Sequence, residues 1–393
     1  MKGKKIVAIV LSVCMICGCQ EVPKEVQDNI AQRKELKGKQ EKEVIDDSDI
    51  EEEKGPEYAS LEGVKENYKN IYNKTFTNIS IGKDCTIKIP KVESIGVQEM
   101  QVMNSFVEQH PDLIKNFVGD SFDASYLHED TDSEPPGPEY EDKRNATYCG
   151  VADSGFTFFT KEDDMDLNSF SLVKEYYLAN GYENKEYEMK DGKLSVEKAV
   201  ERAKQLQKQW TSQTGDGEYR LYKCNVCQAS DRTTYFYQIQ FQKLQDQMPI
   251  MQLTPGFEDL QKKEFKNSVS MQYLEIYIDS WKEDPFCFSN QCIIKKTKER
   301  EKYDKIITLD AALQRLSKML AEYRVNKITS ISLEYLMSSE EDEVGAIQEP
   351  GEKFLIRPVW MIAFDLKEEQ EIYAIIDCKT GAISYVNRGE VEY

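Results

Sequence analysis

Hydrophobic and polar positions follow two periods along this chain, and the two periods occur twice in the same order. Ser195-Val196-Glu197-Lys198-Ala199-Val200 matches Thr308-Leu309-Asp310-Ala311-Ala312-Leu313. Each segment opens with a hydroxyl residue that can accept from the first-turn N–H groups, and an acid favoured near a helix N-terminus follows it. Val196, Ala199, Val200, Ala203 and Leu206 stand at the same offsets as Leu309, Ala312, Leu313, Leu316 and Met319. This spacing predicts two helices, each with one buried stripe.

Period-two alternation follows each predicted helix. After the first, residues 219–227 and 234–244 read as strands, the second with Tyr235, Tyr237, Ile239 and Phe241 alternating with polar residues. After the second come 331–337, then Trp360, Ile362, Phe364 and Leu366 at every other position, then 372–376. The chain turns at Asp377-Cys378-Lys379-Thr380-Gly381 and resumes through Ala382-Ile383-Ser384-Tyr385-Val386. A half-buried sheet needs one covering layer, and each repeat supplies one helix for it. The expected fold class is therefore α+β, with tandem units of a helix packed on an antiparallel sheet at 194–280 and 306–393. Ahead of them, 59–172 reads as a separate α/β unit. In it, Cys85-Thr86-Ile87-Lys88-Ile89 alternates like a strand, 100–118 has helical stretches interrupted at Pro111, and 156–159 is a short apolar run. Pro135, Pro136 and Pro138 lie among acids in 130–142, which predicts an exposed loop.

The beginning of the chain has another pattern. Lys2, Lys4 and Lys5 precede an uncharged apolar run over 6–18, the layout of a signal peptide and too short for the roughly 20 apolar residues of a membrane span. The run ends in Ile16-Cys17-Gly18-Cys19, which resembles the bacterial lipobox: an aliphatic residue, two small ones, then the cysteine that receives diacylglycerol. The resemblance implies cleavage after a leader at 1–18, lipidation of Cys19, and a cell-membrane location facing away from the cytoplasm. Residues 19–58 are almost wholly polar or charged, as in Asp46-Asp47-Ser48-Asp49-Ile50-Glu51-Glu52-Glu53. They have too few apolar side chains to offset the entropy of ordering the backbone, and the expectation is a disordered tether.

The second repeat resembles the PepSY superfamily, especially the extracytoplasmic YycH and YycI type from Gram-positive bacteria. Thr308-Leu309-Asp310-x-Ala312-Leu313, Arg357-Pro358-Val359-Trp360 and Asp377-x-Lys379-Thr380-Gly381 carry the resemblance over 306–386. The first repeat, 194–279, shares it weakly, lacking the Pro-Val-Trp and Asp-x-x-Thr-Gly elements. The arrangement is also similar to uncharacterised lipoproteins of gut Clostridia. The resemblance implies binding to another envelope protein, such as a peptidase or a sensor kinase, and it transfers no catalytic residue. Arg357, Pro358, Trp360, Asp377, Thr380 and Gly381 are thus candidate partner-binding positions. Packing accounts for them equally well: Pro358 marks an edge or bulge, Trp360 a core anchor, and Gly381 a turn with positive φ.

Charge and composition narrow the function classes. The formal charge of −20 becomes about −23 without the leader lysines, which argues against nucleic acid and against resting on an anionic lipid surface. Only two histidines exist, His110 and His128, and neither has a nucleophile elbow beside it. There is no phosphate-cradling glycine loop either, so no catalytic residue and no cofactor is expected. Beyond Cys19 the chain has Cys85, Cys149, Cys224, Cys227, Cys287, Cys292 and Cys378, an odd number that cannot all pair internally. Cys224-Asn225-Val226-Cys227 has redox-like spacing but falls in a predicted strand. Together with Cys287 and Cys292 it would make a four-thiolate zinc site, against the simpler reading of buried thiols. The favoured expectation is a lipid-anchored, non-catalytic protein-binding or regulatory module of the envelope. The alternative is a lipoprotein that binds a small extracellular ligand with its many tyrosines.

Overall fold

Ser195 and Thr308 cap helices, as their hydroxyls predict. The computed structural model describes residues 57–103, 123–130, 137–142, 147–151, 157–161, 170–177, 182–229, 233–251, 265, 268–269, 274–280, 287–290, 293–320, 326–339, 351–364 and 372–387. They belong to one compact unit, Pro56–Tyr393. Among the described residues its α-helices are α1 (Leu61–Asn67), α2 (Val196–Thr214) and α3 (Leu309–Met319). Ser195 Oγ accepts from Lys198 N at 3.3 Å, and Thr308 Oγ1 accepts from Ala311 N at 3.3 Å. Gly215 ends α2 at φ +64, a conformation that an added Cβ would strain. The repeat's first four apolar offsets are buried in both helices; at the fifth, Leu206 is half-buried and Met319 is exposed.

The strands are β1 (Tyr58–Ala59), β2 (Ile79–Lys88), β3 (Gly96–Val102), β4 (Leu127–Asp130), β5 (Gly137–Asp142), β6 (Thr147–Val151), β7 (Thr157–Lys161) and β8 (Ser171–Tyr177). Next come β9 (Glu186–Met189), β10 (Gly192–Ser195), β11 (Glu218–Gln228), β12 (Tyr235–Gln245), β13 (Met248–Pro249), β14 (Ser268–Val269), β15 (Leu274–Ile278) and β16 (Cys287–Asn290). The last are β17 (Ile294–Lys302), β18 (Ile306–Ile307), β19 (Asn326–Ser339), β20 (Lys353–Phe364), β21 (Ile372–Asp377) and β22 (Ile383–Asn387). The fold is mixed α and β and mostly strand. One large sheet runs β4-β5-β6-β7-β16-β15-β12-β11-β8, with β13 beside β12. The other runs β14-β19-β20-β21-β22; β2 joins β19, and β3 lies between β17 and β20. Strand pairs in both are antiparallel except β2–β19, which is parallel.

Alternation decides which face each strand buries. Tyr237, Ile239 and Phe241 of β12 share a core with Val196, Ala199, Val200 and Ala203 of α2. Phe354, Ile356, Trp360 and Ile362 of β20 share another with Leu309, Ala312, Leu313 and Leu316 of α3. Val359 and Met361 project from the opposite face of β20 and pack with Met251, Phe265 and Leu336. Burial of both faces explains why β20 is an almost unbroken apolar run.

Pro358 lies inside this central strand, where a missing N–H ordinarily breaks the ladder. The outer neighbour of β20 changes there: β3 pairs with Lys353 to Ile356, and β21 pairs from Val359 onward. Pro358 O accepts from Cys378 N at 3.1 Å, so this residue's polar edge faces the gap between the two neighbours. The proline occupies the point where the ladder has no N–H to lose.

The segment 59–172 departs from the expectation of a separate unit. β2 and β3 enter the sheet of β19 and β20, whereas β4 to β8 enter the sheet of β11 and β12. The sheet that includes the first repeat also extends beyond 194–280, through β7, β8 and β16. Met100 and Val102 are in β3, not in a helix, because strands flank them on both sides and both side chains are buried. The rest of the expected helical stretch, from residue 104 on, lies outside the described residues. Pro138 belongs to β5, paired with Glu129 of β4, so part of the expected loop is a hairpin arm. Residues 1–56, with the expected leader, Cys19 and nearly all of the tether, lie outside the described residues, as does His110.

Candidate functional site

Most of the motif residues meet around Ile307 of β18. Trp360 is fully buried and its Nε1 donates to Ile307 O at 3.1 Å, while Ile307 N donates to Cys378 O at 2.8 Å. The Asp377 carboxylate turns back into its own hairpin, accepting from Lys379 N (2.9 Å), Thr380 N (2.8 Å) and Thr380 Oγ1 (3.1 Å). Gly381 has φ +70, and a Cβ there would come within 2.1 Å of the Arg315 guanidinium. Arg315 of α3 holds the turn by donating to Thr380 O at 3.1 Å. Arg357 stands apart and donates to Ser338 Oγ at 2.9 Å. These contacts satisfy the polar groups of the motif within the fold and make it a latch between the β21–β22 turn, β18 and α3.

A buried polar network joins the two sheets, and nothing local in the sequence announces it. Glu334 of β19 is 1% exposed. It pairs with Arg220 of β11 at 3.0 Å and accepts from Gln242 of β12 at 3.1 Å and from Ser332 Oγ at 2.8 Å. Gln242 also donates to Ile250 O at 2.8 Å, close to where Met251 N donates to Tyr335 O at 2.8 Å. Lys88 of β2 faces this network, and its pKa is lowered first by burial and then by the Arg220 charge. The network acts as a strut, since the Arg220 and Glu334 charges compensate each other between the two sheets.

Cys85, Cys224, Cys227 and Cys378 are buried free thiols. In β11 the register against β12 is regular across Cys224 and Cys227, so the two sulfurs leave the strand on opposite faces. That geometry rules out the redox pair and removes one half of the zinc alternative. Burial raises the pKa of Cys85 to about 11 and of Cys227 to about 12, and pushes Cys224 and Cys378 well up. We expect iodoacetamide to label none of these four in the native protein at pH 8 and all of them in guanidinium, read by peptide mass mapping; native labelling of Cys224 would refute the assignment. His128 is exposed, with Nδ1 3.3 Å from Tyr126 O.

A cleft of about 310 Å³ opens between residues 91–98, the β12–β13 turn and β17. Gln98 forms one wall, its Nε2 donating to Asp246 Oδ2 at 2.9 Å and to Tyr335 OH at 2.8 Å. The turn residues Asp246 and Gln247 both have positive φ, as a two-residue hairpin requires. No aromatic side chain lines the cleft.

The sheet edges are the other accessible feature. Among the described residues β8 pairs only with β11 and so ends this sheet. Phe170, just before it, is 41% exposed, and Leu172 and Val173 within it are 54% and 46% exposed.

With fold and sites in place, the class is a mixed α/β, mostly antiparallel protein. No protein-family model and no curated protein matches the chain. Among solved structures it is similar to an uncharacterized protein from Eubacterium rectale, at 13% identity and a TM-score of 0.55. The match covers 80% of this chain and 98% of that one, a likeness of fold alone.

Proposed function

We propose that this chain is a lipoprotein anchored through Cys19 on the outer side of the cell membrane, where it works as a non-catalytic protein-binding or regulatory module. On this reading, α2 and α3 with their sheets are tandem PepSY-like units, and the partner is an envelope sensor kinase or peptidase. The observation that carries it is the β8 edge. A strand edge without a partner among the described residues, bordered by Phe170, Leu172 and Val173, fits an extended segment that adds as a further strand, with main-chain hydrogen bonds giving affinity and apolar side chains giving selectivity. The internal engagement of Asp377, Thr380 and Trp360 supports a scaffold role for the motif. The absence of aromatic lining in the described cleft gives the small-ligand alternative no added support.

The test is cross-linking in living cells of the tagged protein expressed from its own locus, followed by mass spectrometry. Cys19→Ala and Leu172→Lys/Val173→Lys variants are compared with wild type. The expected result is one recurrent envelope partner, lost in both variants. Recovery of no partner despite confirmed lipidation would reject the function, and a partner that survives the β8 substitutions would reject the β8 interface.

A further inference from the structure

A chain with formal charge −20 concentrates cations on one sheet face, where β17, β3 and β20 run side by side. Lys295 and Lys353 both stand opposite Gln101, and Lys298 stands opposite Glu99. Residues directly opposite in antiparallel strands share a face, so these three lysines surround Glu99 and Gln101. Thr297 and Arg300 fall at the two register shifts of β17, and both side chains reach Glu99. Thr297 Oγ1 donates to it at 2.8 Å, Arg300 forms an ion pair with it, and Lys353 Nζ lies 3.5 Å away.

Glu99 is the fixed centre of this arrangement. Its side chain is 6% exposed, whereas those of Arg300 and Lys353 are 38% and 55% exposed. A buried carboxylate thus holds two cations in place at the surface. The Thr297 hydrogen bond first, and then the Arg300 and Lys353 charges, keep its carboxyl below the ordinary range against the opposing effect of burial. Lys295 and Lys298 make no ion pair among the described residues, and every residue of β17 after Ile294 is exposed.

Lysines and bulges on an edge strand commonly keep other sheets from adding there. That accounts for part of β17. It does not account for Lys353, which stands on an interior strand, or for a buried acid that organises cations from two strands. Both features fit recognition of negative charge. The β17 cations and Lys353 of β20 flank β3 on either side, about 10 Å apart, given a strand spacing of about 4.8 Å. Side chains of an extended peptide alternate left and right, so a run of Asp and Glu lying along β3 reaches the β17 cations on one side and Lys353 on the other.

We propose that the β17–β3–β20 face docks an acidic segment of a partner protein, its carboxylates pairing with Lys295, Lys298, Arg300 and Lys353. The proposal rests on the protein-binding reading but uses a surface separate from β8. Its test is fluorescence anisotropy of the full-length chain in detergent with a labelled decapeptide of alternating Asp and Glu, compared with the Asn/Gln counterpart and with inorganic polyphosphate. The acidic peptide is expected to bind at least about tenfold tighter than the neutral one at low salt and to weaken as salt is added. Lys298→Glu/Lys353→Glu is expected to lower that affinity about tenfold or more with an unchanged circular dichroism spectrum. Should that variant misfold, Lys295→Gln/Lys298→Gln alters only exposed side chains without ion pairs, and a several-fold loss is expected. Equal binding of the two peptides, unchanged affinity in a folded variant, or binding of polyphosphate without the acidic peptide would each overturn the proposal. A partner still captured through β8 would then leave the protein-binding function standing.

Discussion

Replacing Asp216 by alanine is expected to destabilise the fold by about 3–5 kcal/mol, the range for stranding one charge of a buried pair. Asp216 and Lys243 are 1% and 2% exposed and form an ion pair. Asp216 also accepts from Trp210 Nε1 at 3.1 Å and from the Tyr219 hydroxyl, while Lys243 Nζ donates to the Asp216 carbonyl and lies 5.2 Å from the Tyr219 ring centroid. Without the carboxylate, a buried ammonium keeps only a carbonyl and a ring, and two donors lose their acceptor. Lys243→Met is expected to cost less, because Asp216 retains Trp210 and Tyr219. Guanidinium titration followed by tryptophan fluorescence measures both, and a Lys243→Met loss equal to or above that of Asp216→Ala would contradict this ordering. The double variant is expected to lose less than the sum of the two single losses, since neither charge is then left alone.

Trp360→Ala is expected to destabilise by about 3–5 kcal/mol, the usual range for truncating a large buried aromatic side chain. Trp360 is 0% exposed in the core beneath α3, and its indole N–H is bonded to Ile307 O. Trp360→Phe separates packing from hydrogen bonding. It keeps most of the apolar contact and leaves the Ile307 carbonyl without that donor, for a loss of about 1–3 kcal/mol. If Trp360→Phe matches Trp360→Ala in the same titration, the hydrogen bond dominates and the core-anchor account fails. Ile307 also bonds Cys378, so the alanine variant is expected to loosen the Asp377–Gly381 turn, visible as faster amide exchange at Lys379 and Thr380.

The helices are legible in the sequence because their determinants are local. Ser195 and Thr308 cap them, and the apolar stripes repeat within a few residues. The strand alternation of β11, β12 and β20 to β22 is legible for the same reason. Strand partners are not. That β2 and β3 complete the sheet of β19 and β20 depends on residues more than two hundred positions apart, and local periodicity carries no information about such pairings. Met100 shows the limit: an apolar residue followed by a helical pattern reads as helix until the strands on both sides are known. The site followed the same division. Trp360, Asp377, Thr380 and Gly381 were recognisable as a motif, yet their joint engagement of Ile307 and Arg315 needed the fold. The Arg220–Gln242–Glu334 network and the cations around Glu99 have no sequence signature, because each assembles from separate strands.

The two-residue strand β1 pairs Tyr58 with Ile307, Glu57 O accepts from Thr308 N at 2.9 Å, and the Glu57 side chain forms an ion pair with Arg315. A pull on the chain from its N-terminal side therefore enters the fold at the same β18–α3 corner that Trp360 and the Asp377 turn hold together. With only a two-residue strand pair and one ion pair there, tension applied upstream is expected to strain the Ile307 latch before either large sheet, an order that single-molecule force spectroscopy would check.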